Sequence, residues 1–267
     1  MKKYFSVAES EVEKPMNEDF RLHVHNDYEI YLFLKGDTKY IVEENVYSLD
    51  PGDIIIIRKN ILHRAYHNSP APYKRIVLNV DPEFFHQSGC AEYEKEFIYK
   101  SENSSDKIDS EIVHSSGIYD AFMRLKKYSE DFSRLESAIV KAIITEILYL
   151  INNVKSYSEA DKSNPQLKEL IKYLNLHFTE EITLDELEKK FFISKYHICH
   201  IFPKATGLTV HQYILRKRFA YAGELIKLGK SLAEAAALAG FNNYSSFYRA
   251  YIREYGTAPG KVKKHSH

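Results

Sequence analysis

Apolar and polar positions in the first third of the chain follow a short period, and turn residues separate the runs. The stretch YEIYLFLKGDTKYIVEENVYSLDPGDIIIIRKNILH, residues 28–63, is rich in β-branched and aromatic side chains and is interrupted by KGD, EEN and PGD. Turn signals at this spacing, roughly 8–12 residues, predict the short strands of an antiparallel barrel or sandwich. One more strand is predicted in YKRIVLNV, residues 73–80, shortly before Pro82.

The pattern changes to a helical period between about residues 117 and 155. Charged residues separate apolar side chains that recur at helical intervals, namely Phe122, Leu125, Phe132, Leu135, Ile139, Ile143 and Leu150. This segment predicts one long helix or a helical hairpin with an apolar stripe to bury. The stripe can lie against the chain's own barrel or against a second copy of the chain. The polar, serine-rich segment SYSEADKSNP, residues 156–165, predicts a linker between two domains.

The remainder of the chain contains an internal repeat. TLDELEKKFFISKYHICHIFPKATG, residues 183–207, aligns with SLAEAAALAGFNNYSSFYRAYIREYG, residues 231–256, and both begin with an N-cap residue, Thr183 or Ser231. Each copy predicts a short helix, a tight turn and a second helix, and the two copies lie about 48 residues apart. A single helix-turn-helix pattern arises easily by chance. The second copy therefore favours a domain that binds DNA.

A helical wheel of each second helix separates a buried apolar face, centred on Ile198 or Phe247, from an outward polar face. The outward positions are Tyr196, Cys199 and His200 in the first copy and Ser245, Tyr248 and Arg249 in the second. Hydrogen-bonding side chains on such a face suit the base edges of a major groove. Lys195, Lys204 and Arg253 are expected to contact phosphates, which adds affinity without sequence information. The alternative is a set of merely solvated surface residues.

The formal net charge of zero hides an asymmetry between the two parts of the chain. Residues 166–267 hold 16 lysines and arginines against 9 acidic residues, a net of +7, so residues 1–165 carry −7. A basic second part joined to an acidic first part favours a polyanion as the partner of the second part alone. A chance excess of solvated lysines would give the same count.

Composition restricts the class and the compartment. The chain of 267 residues is 44% hydrophobic and 28% charged, which is ordinary for a globular protein of one large or two moderate domains. No apolar run reaches the roughly 20 residues that span a membrane, and the start, MKKYFSVAESEVEKP, has no apolar signal core. Cys90 and Cys199 lie far apart and do not suggest a disulfide framework. These features predict a cytoplasmic protein with no membrane partner.

Four potential metal ligands lie in the region of the predicted strands. One continuous strand would place alternate residues on one side, and these are His23, His25, Glu29 and Tyr31. His63 adds a third imidazole, and three imidazoles with one carboxylate would suit Zn, Mn, Fe or Ni. The same five side chains can instead line a metal-free effector pocket or form a structural polar network. Because a DNA-binding partner domain needs no metal chemistry, the sequence favours the metal-free pocket, with no cofactor.

The second part of the chain resembles the tandem helix-turn-helix domain of the AraC/XylS family of bacterial transcription regulators. The resemblance rests on the segment LTVHQYILRKRFAYAGELI and on the signature positions Gly240, Phe241, Phe247, Arg249, Tyr251, Gly256 and Pro259. The first part is similar to the cupin-like sensor barrel of that family. Its His23, His25, Glu29 and Gly36 match the first metal-binding motif of cupins, and PGDIIIIRKNILH resembles the second.

The resemblance implies an α+β multidomain fold, with a cupin-like antiparallel β-barrel and a helical hairpin followed by an all-α tandem helix-turn-helix domain. The expected divisions are a barrel at 1–116, dimerisation helices at 117–155, a linker at 156–165 and a DNA-binding domain at 166–264. The implied function is a sequence-specific regulator of transcription that is not an enzyme. Its expected partners are double-stranded DNA, a small-molecule effector such as a sugar, a second copy of the chain and RNA polymerase.

Two alternatives from other classes stay open. A metal-dependent cupin enzyme with a helical appendage would bind a metal and turn over a substrate without affinity for DNA. A binding module would use its basic helices to dock on another protein. Three features depart from the family pattern. Pro203 is expected to kink or end the first recognition helix near Phe202, and Ala235 is expected to thin the core of the second motif. Val262 and Lys263 stand where the family usually has an aromatic residue followed by a basic one.

Overall fold

The computed structural model describes residues 4–20, 22–98, 105–129, 138–154, 165–255 and 258–259. The chain divides into two compact units, Met1–Ser163 and Asn164–His267. Several positions that the sequence analysis uses lie outside the described residues, and these are Phe132, Leu135, the linker positions 156–164, Gly256 and residues 260–264. Pro165, which the sequence assigned to the linker, is instead the first residue of a helix, a position where its fixed φ and missing N–H cost nothing.

The first unit is built on two antiparallel sheets, which confirms the predicted β fold. The strands are β1 Phe5–Val12, β2 Tyr28–Lys35, β3 Thr38–Val42, β4 Asn45–Ser48, β5 Ile54–Ile57, β6 His63–His67, β7 Tyr73–Val80 and β8 Lys107–Ile108. A five-stranded sheet has the order β1-β7-β2-β5-β8, and a three-stranded sheet has the order β4-β3-β6. The PGD turn before β5 is fixed by Asp53, whose buried carboxylate accepts the N–H groups of Asp50 and Ser110, each at 2.8 Å.

The five-stranded sheet is buried on both faces, and the strand alternation of β2 shows how. Tyr28, Ile30 and Leu32 belong to a core shared with the helices, whereas Tyr31 and Phe33 belong to a core with side chains of the three-stranded sheet. The sequence signal for this arrangement is the absence of polar residues at alternate positions, most plainly in the IIII run of β5.

Helices cover the outer face of the five-stranded sheet. They are α1 Glu83–Gln87, α2 Lys95–Ile98, α3 Ser110–Ser115, α4 Ile118–Ser129 and α5 Ala138–Asn153, with a 3-10 turn at Ala91–Glu94. The segment 117–155 thus contains two helices, α4 and α5, which agrees with the predicted helical hairpin and not with one long helix. Phe122, Ile144 and Leu148 are buried in the same core as the sheet, so the apolar stripe lies mainly against the chain's own barrel.

The second unit is entirely helical in its described residues. Its helices are α6 Pro165–His177, α7 Leu184–Phe191, α8 Lys195–Thr206, α9 Val210–Lys227, α10 Leu232–Leu238 and α11 Tyr244–Tyr255. The predicted N-caps are confirmed: Thr183 begins α7 and Ser231 begins α10, each as one half of a capping box completed by Glu186 or Glu234. α7–α8 and α10–α11 are therefore the two predicted helix-turn-helix motifs, with α9 between them.

Pro203 does not end α8 near Phe202, although such an end is one of the two outcomes that the sequence predicts, the other being a kink. The helix continues to Thr206 and ends at Gly207, whose N–H donates to the Pro203 carbonyl at 2.8 Å. Thr206 supports this last turn because its hydroxyl donates to the Phe202 carbonyl at 2.8 Å. These bonds stabilise the turn that follows the missing N–H of the proline. Ala235 is fully buried in an aromatic core of the second motif, where its small side chain lies among larger neighbours.

Candidate nucleic-acid interface and effector site

The second recognition helix, α11, presents the polar face that the helical wheel predicts. Phe247 is fully buried, and Ser245, Tyr248 and Arg249 are exposed. Asn243 fixes the start of the helix, since its side-chain oxygen accepts the N–H of Ser246 at 2.8 Å. The N-terminal half of α11 is thus a rigid platform with three outward hydrogen-bonding side chains.

The first recognition helix, α8, has the same organisation. Ile198 is fully buried, whereas Tyr196, Cys199 and His200 are exposed, and Tyr196 is exposed by 78%. The hydroxyl of the N-cap residue Ser194 accepts the N–H of His197 at 3.2 Å. The two helices therefore offer similar faces at equivalent positions of the repeat, and they differ in the side chains that those faces carry.

The three expected phosphate contacts have different surroundings. Lys204 and Arg253 are exposed, and the ammonium of Lys195 lies 2.8 Å from an Asp185 carboxylate oxygen. An exposed ion pair of this kind is weak, so Lys195 stays available to a phosphate. His197 is a further exposed side chain of α8 that the sequence analysis did not select. Its polar side chain next to the outward position Tyr196 could have indicated it.

The turns of the two motifs use the same left-handed backbone for different reasons. In the first motif Phe192 adopts φ 55 and its side chain is 91% exposed. In the second motif Gly240 adopts φ 88, and a Cβ there would overlap the carbonyl oxygen of Thr179 and lie 2.9 Å from the Thr179 Cα. The first turn tolerates a side chain because nothing crowds it, whereas the second turn requires glycine.

Four side chains of the barrel converge at one place. His23, His25, Glu29 and His63 each offer one ligand atom, and all four atoms lie within 4.8 Å of one another. The ring centroids of His23 and His63 are 4.3 Å apart, and those of His25 and His63 are 4.8 Å apart. Tyr40, which the sequence analysis did not select, donates to Glu29 Oε1 at 3.1 Å.

The route by which these residues meet differs from the continuous strand of the sequence analysis. β2 begins only at Tyr28, so His23 and His25 precede it. His23 instead pairs directly with His63, the first residue of β6, through an isolated antiparallel bridge with mutual N–H to carbonyl bonds of 3.0 Å. Within β2 itself the predicted alternation of side chains holds, so Glu29 and Tyr31 share a face.

Tyr31 lies behind this cluster and is 1% exposed. Its hydroxyl is 2.7 Å from the hydroxyl of Tyr73, which in turn accepts a hydrogen bond from Arg75 at 2.8 Å. Its ring packs against that of Tyr40 at 4.6 Å. Tyr31 therefore supports the cluster through Tyr40.

The charges of the cluster reinforce each other. Burial alone would favour the neutral forms, but the carboxylate of Glu29 outweighs it and raises the pKa of His25. In the same way, the hydrogen bond from His25 and the nearby imidazole of His63 outweigh burial and hold the pKa of Glu29 well below its usual range. The site is therefore built around an ionised carboxylate that needs positive charge beside it.

A barrel with a buried polar cluster, joined to a tandem pair of capped helix-turn-helix motifs, defines a DNA-binding regulator with a ligand-binding domain. The family model described as an AraC-like ligand binding domain matches residues 12–147, just over half of the chain, and a helix-turn-helix domain model matches residues 187–265. The chain belongs to the AraC family of transcriptional regulators, as the resemblance implied. In the described part of the chain no helix combines the length and apolar character needed to cross a membrane.

Its relatives in this family are transcriptional regulators. The chain is 26% identical over 244 residues to the probable transcriptional regulator LumQ of Photobacterium leiognathi, covering 90% of this chain and 91% of that protein. It is 24% identical over 255 residues to the HTH-type regulator YdiP of Escherichia coli K12, covering 91% and 80%. Among solved structures, ToxT from Vibrio cholerae O395 matches 97% of this chain and 96% of that chain, at 17% identity and a TM-score of 0.41.

Proposed function

We propose that each chain reads two successive major grooves of double-stranded DNA through α8 and α11, and that an effector at the barrel changes this binding. The base readers would be Tyr196, Cys199, His200, Ser245, Tyr248 and Arg249. Lys195, Lys204 and Arg253 would contact phosphates. The observation that carries the proposal is the repeat itself, because two equivalent capped helices each expose a hydrogen-bonding face over a buried apolar one.

The effector site that we propose is formed by His23, His25, Glu29 and His63, with the buried Tyr31 behind them. The supporting observation is that a carboxylate and three imidazoles gather together, and one of them, the His25 side chain, is 26% exposed, so polar groups that can bind a ligand are reachable from solvent. A sugar is the first effector class to test, since its hydroxyl groups match these donors and acceptors. Effector binding would shift the chain between arrangements with different affinities for DNA.

In this role the barrel binds and does not catalyse. A metal-dependent cupin enzyme would need no pair of exposed recognition helices, and affinity for a specific DNA site separates the two classes. A regulator bound near a promoter acts in the cytoplasm and meets RNA polymerase there, which makes polymerase a proposed partner.

The decisive experiment is to sequence DNA fragments that the purified full-length protein retains from a randomised pool. We expect enrichment of one motif with two conserved blocks about one helical turn apart, since one chain carries two linked readers. The enriched motif should then bind the protein in a titration, with an affinity that falls as salt rises. Retention of no sequence above background would contradict the proposed function.

We also propose that the protein is a dimer through the outer face of α5. The inner face of this helix packs against the chain's own sheet, so only the outer face is left for a second copy of the chain. Ile139 and Tyr149 nevertheless remain 49% exposed on it. A charge placed within such a contact should separate the chains, so we expect Ile139→Arg to be monomeric in light scattering at micromolar concentrations where the unaltered protein is dimeric.

Met16→Arg is the matched control for this prediction. Met16 is also a large apolar side chain of the first unit, 58% exposed, but it does not lie on α5. We expect Met16→Arg to remain dimeric. A monomeric unaltered protein, or equal dissociation of both variants, would count against α5 as the contact.

A further inference from the structure

We propose that the four converging side chains of the barrel bind one divalent first-row transition metal ion. The ligands are the imidazoles of His23, His25 and His63 and the carboxylate of Glu29. The inference deepens the proposed function and rests on it in one respect, because the ion would anchor the effector there. The sequence alone favours a metal-free pocket, and the orientation of the imidazole nitrogens reverses that preference.

The main chain orients two of the rings in the same way. His25 Nδ1 lies 2.9 Å from the Asp27 carbonyl oxygen, and His63 Nδ1 lies 2.8 Å from the Ile61 carbonyl oxygen. Each Nδ1 therefore donates its hydrogen, and a neutral ring then carries its lone pair on Nε2. Histidines that bind metals through one nitrogen characteristically donate the other N–H to a backbone carbonyl or a carboxylate.

Both Nε2 atoms face the same carboxylate oxygen. Glu29 Oε2 lies 2.9 Å from His25 Nε2 and 3.7 Å from His63 Nε2. The 2.9 Å contact is a hydrogen bond when the His25 ring is protonated, whereas 3.7 Å is too long for a hydrogen bond from His63. A metal cation bound among the three groups would take the place of that proton and would also reach His63. His63 is fully buried, and within the described residues its Nε2 has no hydrogen-bond partner. An unsatisfied buried nitrogen is costly, and a metal ion would satisfy both nitrogens and the carboxylate together.

The spacing and the donor types both suit a small transition metal ion. A four-coordinate ion with bonds of about 2.0–2.2 Å holds its ligand atoms roughly 3.4 Å apart. The observed separations of up to 4.8 Å need only small side-chain adjustments to reach that value. Three nitrogens and one carboxylate suit Zn²⁺, Fe²⁺, Mn²⁺ or Ni²⁺, whereas Ca²⁺ and Mg²⁺ favour oxygen ligands.

The test is a titration of full-length protein, freed of metal by a chelator, with Co²⁺. We expect one Co²⁺ per chain, with a visible absorption band that Zn²⁺ removes by competition. His25→Ala and Glu29→Gln each remove a ligand and should weaken Co²⁺ binding by about 100-fold or more. The control His86→Ala removes a histidine of the same unit that lies near a different glutamate, Glu94, and should bind Co²⁺ as the unaltered protein does.

A second pair of variants separates support of the metal site from an effect on folding. Tyr40→Phe removes the hydroxyl that holds Glu29, and Tyr47→Phe removes a hydroxyl of the same core that bonds the Asp106 carboxylate at 3.0 Å instead. We expect Tyr40→Phe to weaken Co²⁺ binding about 10-fold and Tyr47→Phe to leave it unchanged. Equal losses in both would show that the tyrosines act through folding alone.

Two results would overturn the metal proposal: binding of well under one Co²⁺ per chain, or undiminished binding in both His25→Ala and Glu29→Gln. DNA binding is measured separately on the same preparations, with and without Zn²⁺. Failure to bind any DNA in both states would count against the proposed function, and the Co²⁺ titration would still decide the metal site.

Discussion

Gly240→Ala is expected to destabilise the second helix-turn-helix more than any other single methyl addition to a turn of this unit. The left-handed backbone at φ 88 costs an alanine about 1–2 kcal/mol. The added Cβ would also overlap the Thr179 carbonyl, and overpacking of this kind costs typically ~1–3 kcal/mol. The neighbour is backbone and cannot rotate away, so the total should fall in the upper part of a range of roughly 2–5 kcal/mol.

Gly229→Ala is the matched control. Gly229 follows α9 with φ 87, almost the φ of Gly240 after α10. Its N–H donates to the carbonyl three residues earlier, and the next N–H donates to the carbonyl five residues before it, as at Gly240. A Cβ at Gly229 would meet nothing within 4 Å. We therefore expect Gly229→Ala to cost only the conformational part, about 1–2 kcal/mol.

The measurement is chemical unfolding of the full-length variants, with amide hydrogen exchange to locate the loss. Gly240→Ala should expose the amides of α10 and α11, and specific DNA binding should fall with the folded fraction of that motif. Equal costs for the two glycine variants would show that the approach to Thr179 is not what requires glycine.

Arg249→Ala is expected to have the largest effect on sequence recognition among the proposed readers. Its side chain is exposed near the middle of α11, and a guanidinium can make two hydrogen bonds to a guanine edge. Loss of such a contact costs roughly 1–3 kcal/mol, about 5- to 150-fold in affinity, and relaxes the preference at one base pair. The check is a binding titration across a pool of sites randomised at single positions.

Arg253→Ala and Lys204→Ala are the controls, and Arg253→Ala is the same substitution about one turn further along the same helix. Both side chains are exposed and are proposed to contact phosphates. We expect each control to weaken binding to all sites alike. Each should also reduce the slope of log affinity against log salt concentration by about 1, because one phosphate contact is lost. If Arg249→Ala behaved like the controls, its assignment as a base reader would be wrong.

The local features of this protein were predictable from the sequence. The caps at Thr183 and Ser231, the buried positions Ile198 and Phe247 and the strand before Pro82 all follow from neighbours within a few residues. The family resemblance added the order of the domains and the pairing of a sensor with a DNA reader. Proline chemistry allowed α8 to end near Phe202, and the structure shows that it does not, because side-chain and main-chain bonds of the following turn preserve the helix.

The candidate site shows where sequence reasoning ends. Residue parity placed Glu29 and Tyr31 on one face of β2 correctly, but it could not show that His23 lies outside the strand and pairs with His63. The support that Tyr40 gives to Glu29 also depends on which strands face each other. No periodicity within one segment contains that information.

The sequence by itself determined the elements, their exposed and buried faces and the family, because these depend on hydrogen bonds and side-chain periods that act within a few residues. Tertiary structure alone decided which distant groups meet. It brought the Nε2 atoms of His25 and His63 to one carboxylate oxygen, and it brought the Thr179 carbonyl to the place that a side chain at position 240 would need. Such contacts join residues about 40–60 positions apart, and their geometry is fixed only when sheets and helices pack to close density.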